Sequence, residues 1–429
     1  MRFLHFDEAK QAAIADVRTW VRVASQDVRA MLIVDLFGKL RLALWSDTVS
    51  DTTSLAQNLA TNCGAWWTGE VLEVEELDPV TTKVYDSAWD SASPDEHEPR
   101  LRVNDRHRSR TAWFSGPIEP PWKASENNPP VVVFYSFKGG LGRSTLLASF
   151  AIQRARAGER VCVLDYDLDS PGAGRLLSAD AEGLTARWGV VDFLLESSLA
   201  GAPLADYFHR CDRVAGAGEI VIFPAGKLDE EYADKLARID LEEAPEAHDS
   251  GLWKLLARVR DELKPKWILM DARTGISEPA GQLLSGIAHL HVLLGTTQDQ
   301  SWQGLNRVFD RLGKERVLAG HPQAELLVVQ AMVPSGEPGK SAKDAFAARA
   351  EEELDGRYYA VEEGDADIDD CFWTLGDKGS QDAPHVPMPV DYDSKLASFG
   401  DIAEVAEALC GGPYPPIVER IVSRFLTEP

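Results

Sequence analysis

The chain has 429 residues, and none of its apolar runs approaches the ~20 residues of a membrane span. Residues 1–8 hold no apolar core of a secretion signal. Cysteine is scarce: Cys63, Cys162, Cys211, Cys371 and Cys410 are scattered, odd in number and without a C-x-x-C pair. That pattern argues against a disulfide framework and a thiolate zinc site, and a reducing, cytoplasmic compartment is expected. Third ligands are missing too. His289 and His291 alternate along an apolar stretch with no further ligand nearby, which reads as strand packing. Cations are outnumbered, 44 Lys and Arg against 69 Asp and Glu, for a formal net charge of −25. A protein that coats nucleic acid through its overall charge needs the reverse. One basic run, residues 100–110, is a local exception. Such a run is more often solvated or acid-paired, so nucleic acid is not the favoured partner. No internal repeat is present.

What the chain does have is concentrated in residues 131–145, Val-Val-Val-Phe-Tyr-Ser-Phe-Lys-Gly-Gly-Leu-Gly-Arg-Ser-Thr. A β-branched run opens into a glycine-rich turn, and residues 146–157 continue with helical apolar spacing. Strand, glycine loop and helix in that order build a phosphate cradle. Gly139, Gly140 and Gly142 allow successive N–H groups to face inward, with Leu141 between them, and the helix N-terminus adds partial positive charge. Ser144, directly after Arg143 and followed by Thr145, is placed to ligate a phosphate-bound Mg²⁺. An ordinary strand-to-helix turn would explain the glycines but not Lys138, Arg143 and Ser144 at these offsets.

Two further strands end in acid. Residues 160–165 lead to Asp165-Tyr-Asp167-Leu-Asp169, and residues 266–271 lead to Asp271-Ala-Arg273-Thr-Gly275. Carboxylates at the carboxyl ends of strands lie at the rim where open α/β sheets take ligands. Asp271 suits Mg²⁺, which keeps several waters and accepts few protein carboxylates.

The loop departs from G-x-x-x-x-G-K-[ST], with Phe137 for the first glycine and Arg143 for the lysine. It resembles the deviant phosphate loop of the ParA/MinD-like ATPases of the SIMIBI class, within the subgroup that reads Lys-Gly-Gly-x-Gly-Arg. The resemblance covers roughly residues 130–410, with two specific motifs and several supporting ones. It implies ATP and Mg²⁺ as cofactors, a homodimer sandwiching the nucleotide, and Lys138 reaching the partner's phosphates. Asp165-x-Asp167 is similar to the first switch, with Asp167 positioning the attacking water and Asp165 counted with Ser144 and Asp271 at the metal. Asp169 has no counterpart. Asp271 to Gly275 resembles the second switch, with the Gly275 N–H toward a γ-phosphate and Arg273 as a phosphate or switch contact. Residues 219–226, the helix-like stretch carrying Tyr232 and Leu236, and residues 289–295 with 298–304 also resemble the subgroup. Residues 326–334 match the strand that ends beside the base, where Gln330 is the nearest amide.

The expected fold is α/β, a doubly wound, mostly parallel sheet with a phosphate loop, preceded by a small α+β domain. In residues 1–77 the spacing predicts a helix over 7–23, a hairpin of 30–36 and 40–45, a helix from 51 or 52 to 61, and a strand over 69–77. Residues 78–129 read as a proline-rich, basic linker, with 91–99 its most flexible piece. The ATPase domain is expected over 130–412, interrupted by an acidic surface insertion at about 335–383. Residues 413–429 read as an amphipathic helix that docks on the protein's own body rather than on a membrane. Seven of the twelve tryptophans precede residue 123, and core or docking roles are expected for them. Three functions stand side by side: a weak, nucleotide-switched ATPase whose dimer recruits a partner encoded nearby, a nucleotide-holding regulator with little hydrolysis, or a scaffold in which the N-terminal module does the recognition. Partitioning, pole positioning, regulation of other machinery and defence all use such an engine, and residues alone do not choose among them.

Overall fold

The computed structural model describes residues 5–46, 51–107, 109–197, 202–239, 241, 250–359 and 373–425. Cys371, the acidic residues 362–370 and Leu426 lie outside them. Two compact units are present, Met1–Ser109 and Arg110–Pro429.

In the first unit β1 (Arg29–Val34), β2 (Leu40–Trp45), β3 (Trp67–Glu73), β4 (Ser93–Asp95) and β5 (Glu98–Asp105) form a sheet in the order β3-β2-β1-β5-β4. The Asp35 carboxylate closes the β1–β2 turn by accepting the N–H groups of Phe37 and Lys39. Helix α1 (Phe6–Val23) buries Ala9, Ala13, Val17 and Val21, one per turn. They meet Leu55, Leu59 and Cys63 of α2 (Thr53–Cys63) on one face of the sheet. Helix α3 (Pro79–Ser91) starts at Asp78, which accepts from Val80 and Thr81, and carries Trp89 onto Trp45 on the other face.

The linker expected over residues 78–129 is therefore not observed. Its first part is α3, β4 and β5, and β5 pairs in parallel with β1. Two arginines of the basic run tie this strand to the helices beside it. Arg100 donates to Val21 O and Ser25 O, and Arg102 to Trp89 O.

The second unit holds β6 (Val131–Ser136), β7 (Arg160–Tyr166), β8 (His209–Arg210), β9 (Glu219–Phe223), β10 (Trp267–Ala272), β11 (Leu290–Gly295), β12 (Leu326–Val333) and β13 (Met388–Asp391). Their order is β13-β12-β11-β6-β10-β7-β9-β8, and every neighbouring pair is parallel except β8 with β9. The central strands are buried along their whole length, as a sheet covered on both faces requires. One face packs α4 (Arg143–Arg156) with Ile402–Leu409 and Tyr414–Ser423. The other packs Gly251–Arg258, Asp299–Leu312 and Glu337–Asp355. This is the doubly wound α/β architecture. The chain leaves β6 toward β7 and β9, returns through β10, and then builds β11, β12 and β13 on the opposite side. The topological switch thus falls at β6, where such sheets bind ligands.

Two more expectations change. Residues 335–383 are not simply a surface insertion, because Phe346, Ala350 and Leu354 of Glu337–Asp355 enter the core at four-residue spacing. That helix is the crossover to β13. The segment before β6 is also built in, as a strap. Trp113 Nε1 donates to Ser277 O at 2.6 Å, and Thr111 Oγ1 and the Ala112 N–H both donate to Glu278 Oε1. Buried Arg311 donates to the carbonyls of Ala112 and Trp113, and buried Arg316 to those of Ile118 and Ser285. His289 joins strap to sheet: its Nδ1 accepts the Val131 N–H and its Nε2 faces Trp122 O at 2.7 Å. At the other end, Ile417, Val418 and Ile421 of Tyr414–Ser423 are buried inside this unit. Among the described residues no helix is long and apolar enough to cross a membrane.

Candidate functional site

At the carboxyl end of β6 the chain turns through residues 137–142 into α4. Gly140 and Gly142 have φ of 76° and 80°, the left-handed region that side chains disfavour. Gly142 is the N-cap of α4 and supplies no side-chain cap, so the first-turn N–H groups face an open cleft. The cleft measures about 330 Å³ and is lined by residues 139–145 with Ser136, Asp167, Ser170, Arg273 and Thr274. Phe137, in place of the usual first glycine, packs its ring on Asp299–Leu312. A Cβ on Gly304 would stand 1.9 Å from that ring, so only glycine permits the approach.

The charged groups form one network. Arg143 Nε donates to Asp271 Oδ1 at 2.5 Å and Nη2 to Asp167 Oδ2 at 2.9 Å. Ser144 Oγ donates to Asp271 Oδ2 at 2.6 Å. Arg273 Nη1 donates to Asp167 Oδ1 at 3.1 Å, and its Nε lies 3.4 Å from Asp169 Oδ2. Burial works against the Arg143 charge, but the Asp271 and Asp167 carboxylates outweigh it and hold the guanidinium above the ordinary arginine value. Asp165 lies in register with Asp271 on the neighbouring strand. Burial, and then the Asp271 charge, push its carboxyl up to about 7 against the pull of the Gly174 N–H.

The structure thus brings Arg143, Ser144, Asp167 and Asp271 together with the glycine loop. Asp165 is close behind but turned away: its Oδ2 accepts the N–H groups of Gly172 and Gly174, and its Oδ1 is buried without a partner among the described residues. Lys138 Nζ donates to Gln298 Oε1 at 2.6 Å. The Gly275 carbonyl, not its N–H, is engaged, accepting from the Tyr135 hydroxyl at 3.2 Å and the Ser277 N–H. Gln330 is not brought to the cleft, because its Nε2 donates to Ala342 O on Glu337–Asp355. Ser136, Ser170 and Thr274 line the cleft without having been singled out in sequence. Ser170 carries a readable signal, since its N–H returns to Asp167 in a short Asx turn.

The donor set fits a hard cation. Ser144 Oγ and the Asp271 carboxylate are mutual neighbours at the head of the glycine loop, and Mg²⁺ takes few protein oxygens and retains waters. Among the described residues no three His, Cys, Asp or Glu side chains converge on a metal position.

No family model matches the chain, and no curated protein matches it. Solved structures do. The cell division ATPase MinD of Pyrococcus furiosus aligns over 69% of this chain and 99% of its own at 16% identity, with a TM-score of 0.42. A ParA family ATPase from Chlorobium tepidum TLS covers the same shares at 15% identity and 0.45. Cobyrinic acid a,c-diamide synthase from Mycobacterium smegmatis, with bound ATP analog and magnesium, aligns over 66% of this chain and 94% of its own at 17% identity and 0.41.

Proposed function

We propose that this chain is a ParA/MinD-like, nucleotide-switched protein that binds and slowly hydrolyses ATP with Mg²⁺. The observation that carries the reading is the meeting of Ser144 and Asp271 at the mouth of an uncapped helix, beneath a loop with two left-handed glycines. The loop N–H groups and Arg143 receive phosphate oxygens. Ser144 and Asp271 hold Mg²⁺, which when bound neutralises phosphate charge. Asp167, at the rim beside them, orients the attacking water. Phosphoryl transfer needs positioning and charge neutralisation more than covalent chemistry, so this set is sufficient in kind.

The output is a homodimer in which Lys138 from each copy touches the other's nucleotide, and whose surface recruits a protein partner encoded nearby. A soluble, cytoplasmic protein fits the composition, and nucleic acid is disfavoured by the net charge and by the internal use of Arg100 and Arg102. One observation favours a second reading, a nucleotide-holding regulator with little turnover: both Asp167 oxygens are held by arginines.

Calorimetry of ATP with the wild-type chain and Ser144→Ala, each with and without Mg²⁺, tests the site. Mg²⁺-dependent binding that weakens in the variant is expected, and unchanged affinity would remove Ser144 from it. Light scattering with ATP and a non-hydrolysable analogue tests the dimer, and phosphate release separates the two readings.

A further inference from the structure

Arg143 lines the phosphate cleft, yet its guanidinium is engaged by the protein's own carboxylates. Its two contacts come from different nitrogens of one planar fork and reach acids at two different strand ends, Asp271 near the end of β10 and Asp167 just after β7. With Ser144 on the second Asp271 oxygen and Arg273 on the second Asp167 oxygen, all four carboxylate oxygens are occupied. Arg143 is 8% exposed and Asp271 fully buried, so water does not compete for these contacts. The guanidinium therefore sits against the same Asp271 carboxylate that would approach a metal ion. One of its nitrogens, Nη1, is buried and has no partner among the described residues. That leaves a donor ready for an oxyanion in the cleft.

Resting on the nucleotide reading above, we propose that Arg143 is the resident cation of the metal position. It excludes divalent ions from the nucleotide-free protein and yields the carboxylates only to a nucleotide phosphate, so metal enters with the nucleotide and not before it. Phosphate is the natural competitor. It carries more charge than either carboxylate, it matches the guanidinium fork, and the loop N–H groups and the α4 N-terminus already favour an anion beside Arg143. When Arg143 turns to phosphate, Asp271 Oδ1 and Asp167 Oδ2 are released in one event, the first for the hydrated ion and the second for a water. Arg273 keeps hold of the other Asp167 oxygen, which fixes that carboxylate while its partner oxygen changes role. An ammonium on a lysine stem gathers its three donors at one point and does not reproduce the spaced, planar contacts by which Nε and Nη2 hold the two acids.

The test is a Mn²⁺ titration, read by electron paramagnetic resonance, of the full nucleotide-free chain as wild type, Arg143→Ala and Arg143→Gln. Wild type should take up no Mn²⁺ at submillimolar concentration. The variants should gain one site at least tenfold tighter, and adding Ser144→Ala to either should remove it. Arg143→Gln keeps an amide donor for the buried acids, so it serves if Arg143→Ala does not fold. Adding ADP to wild type should bring Mn²⁺ uptake. Wild type binding Mn²⁺ without nucleotide as tightly as the variants, or folded variants gaining no site, would overturn the proposal. Failure of ADP to promote uptake in wild type would instead count against the nucleotide reading itself, which keeps the two failures distinct.

Discussion

Replacing Arg143 by lysine keeps the charge and removes the fork, so it isolates what the planar guanidinium contributes. Nε and Nη2 make separate charge-assisted bonds to Asp271 and Asp167. A lysine nitrogen can reach two acids, as Lys378 does with Glu351 and Asp355, but its donors leave from a single point and it keeps only one of these two spaced bonds at full strength. The other loses a bond of about 1.5–3 kcal/mol. Because a cation remains in place, the larger cost of a buried charge left wholly unpaired, about 3–5 kcal/mol, is not incurred. A stability loss of about 2 kcal/mol is therefore expected in urea unfolding. Nucleotide affinity should fall as well, by one bidentate contact, roughly ten- to a hundredfold at about 1.4 kcal/mol per decade. The assay is calorimetric affinity with single-turnover hydrolysis for Arg143→Lys beside Arg143→Ala. A lysine variant that binds normally and hydrolyses faster would refute the reasoning and make slow turnover the purpose of the arginine.

Asp167→Ala should retain nucleotide binding, abolish phosphate release and accumulate the ATP-bound dimer in light scattering; wild-type hydrolysis would move the water-positioning role elsewhere. Asp165→Asn keeps an acceptor for Gly172 and Gly174 but has no charge to bury. Because the folded carboxyl is raised from 3.8 to about 7, its contribution is fully present below the unfolded value and is lost as pH rises through 7. The melting advantage of the variant over wild type should therefore grow between pH 4 and 7, toward a limit of roughly 4 kcal/mol, and an advantage independent of pH would refute this. Trp113→Ala removes an almost fully buried ring and its bond to Ser277, and should cost about 3–5 kcal/mol in the denaturant unfolding of the second unit.

The parts legible in the sequence are those whose chemistry is local. The strand, glycine loop and helix start are written in fifteen consecutive residues, and β7 and β10 announce themselves as apolar runs with an acid at their ends. The missed parts depend on partners far away in the chain. β5 alternates only Leu101 and Val103 with charge, and it becomes a strand because Arg100 and Arg102 find carbonyls on α1 and α3 and because β1 lies alongside. The helix Glu337–Asp355 is polar along most of its length, and only Phe346, Ala350 and Leu354 betray its buried side. Gln330 sits on the expected strand, but a neighbouring helix carbonyl claims its amide. Which way Asp165 faces follows from where Gly172 and Gly174 fold back, which residue spacing does not encode.

The strap bears on how portable the second unit is. Read from motifs, the unit starts at the strand before the glycine loop, which is where a shuffled gene would be cut. Arg311 and Arg316 impose a different boundary. Among their acceptors are the carbonyls of Ala112, Trp113 and Ile118, and both side chains are almost fully buried. A segment transplanted from residue 130 onward would carry two interior guanidinium groups that have lost their strap acceptors and keep only Leu284 O for Arg311 and Pro322 O and Ser285 O for Arg316, each lost hydrogen bond to a charged group costing about 1.5–3 kcal/mol. Recombination, natural or engineered, should therefore succeed at residues 109–111 and fail at 130, so the inheritable block is longer than its signature.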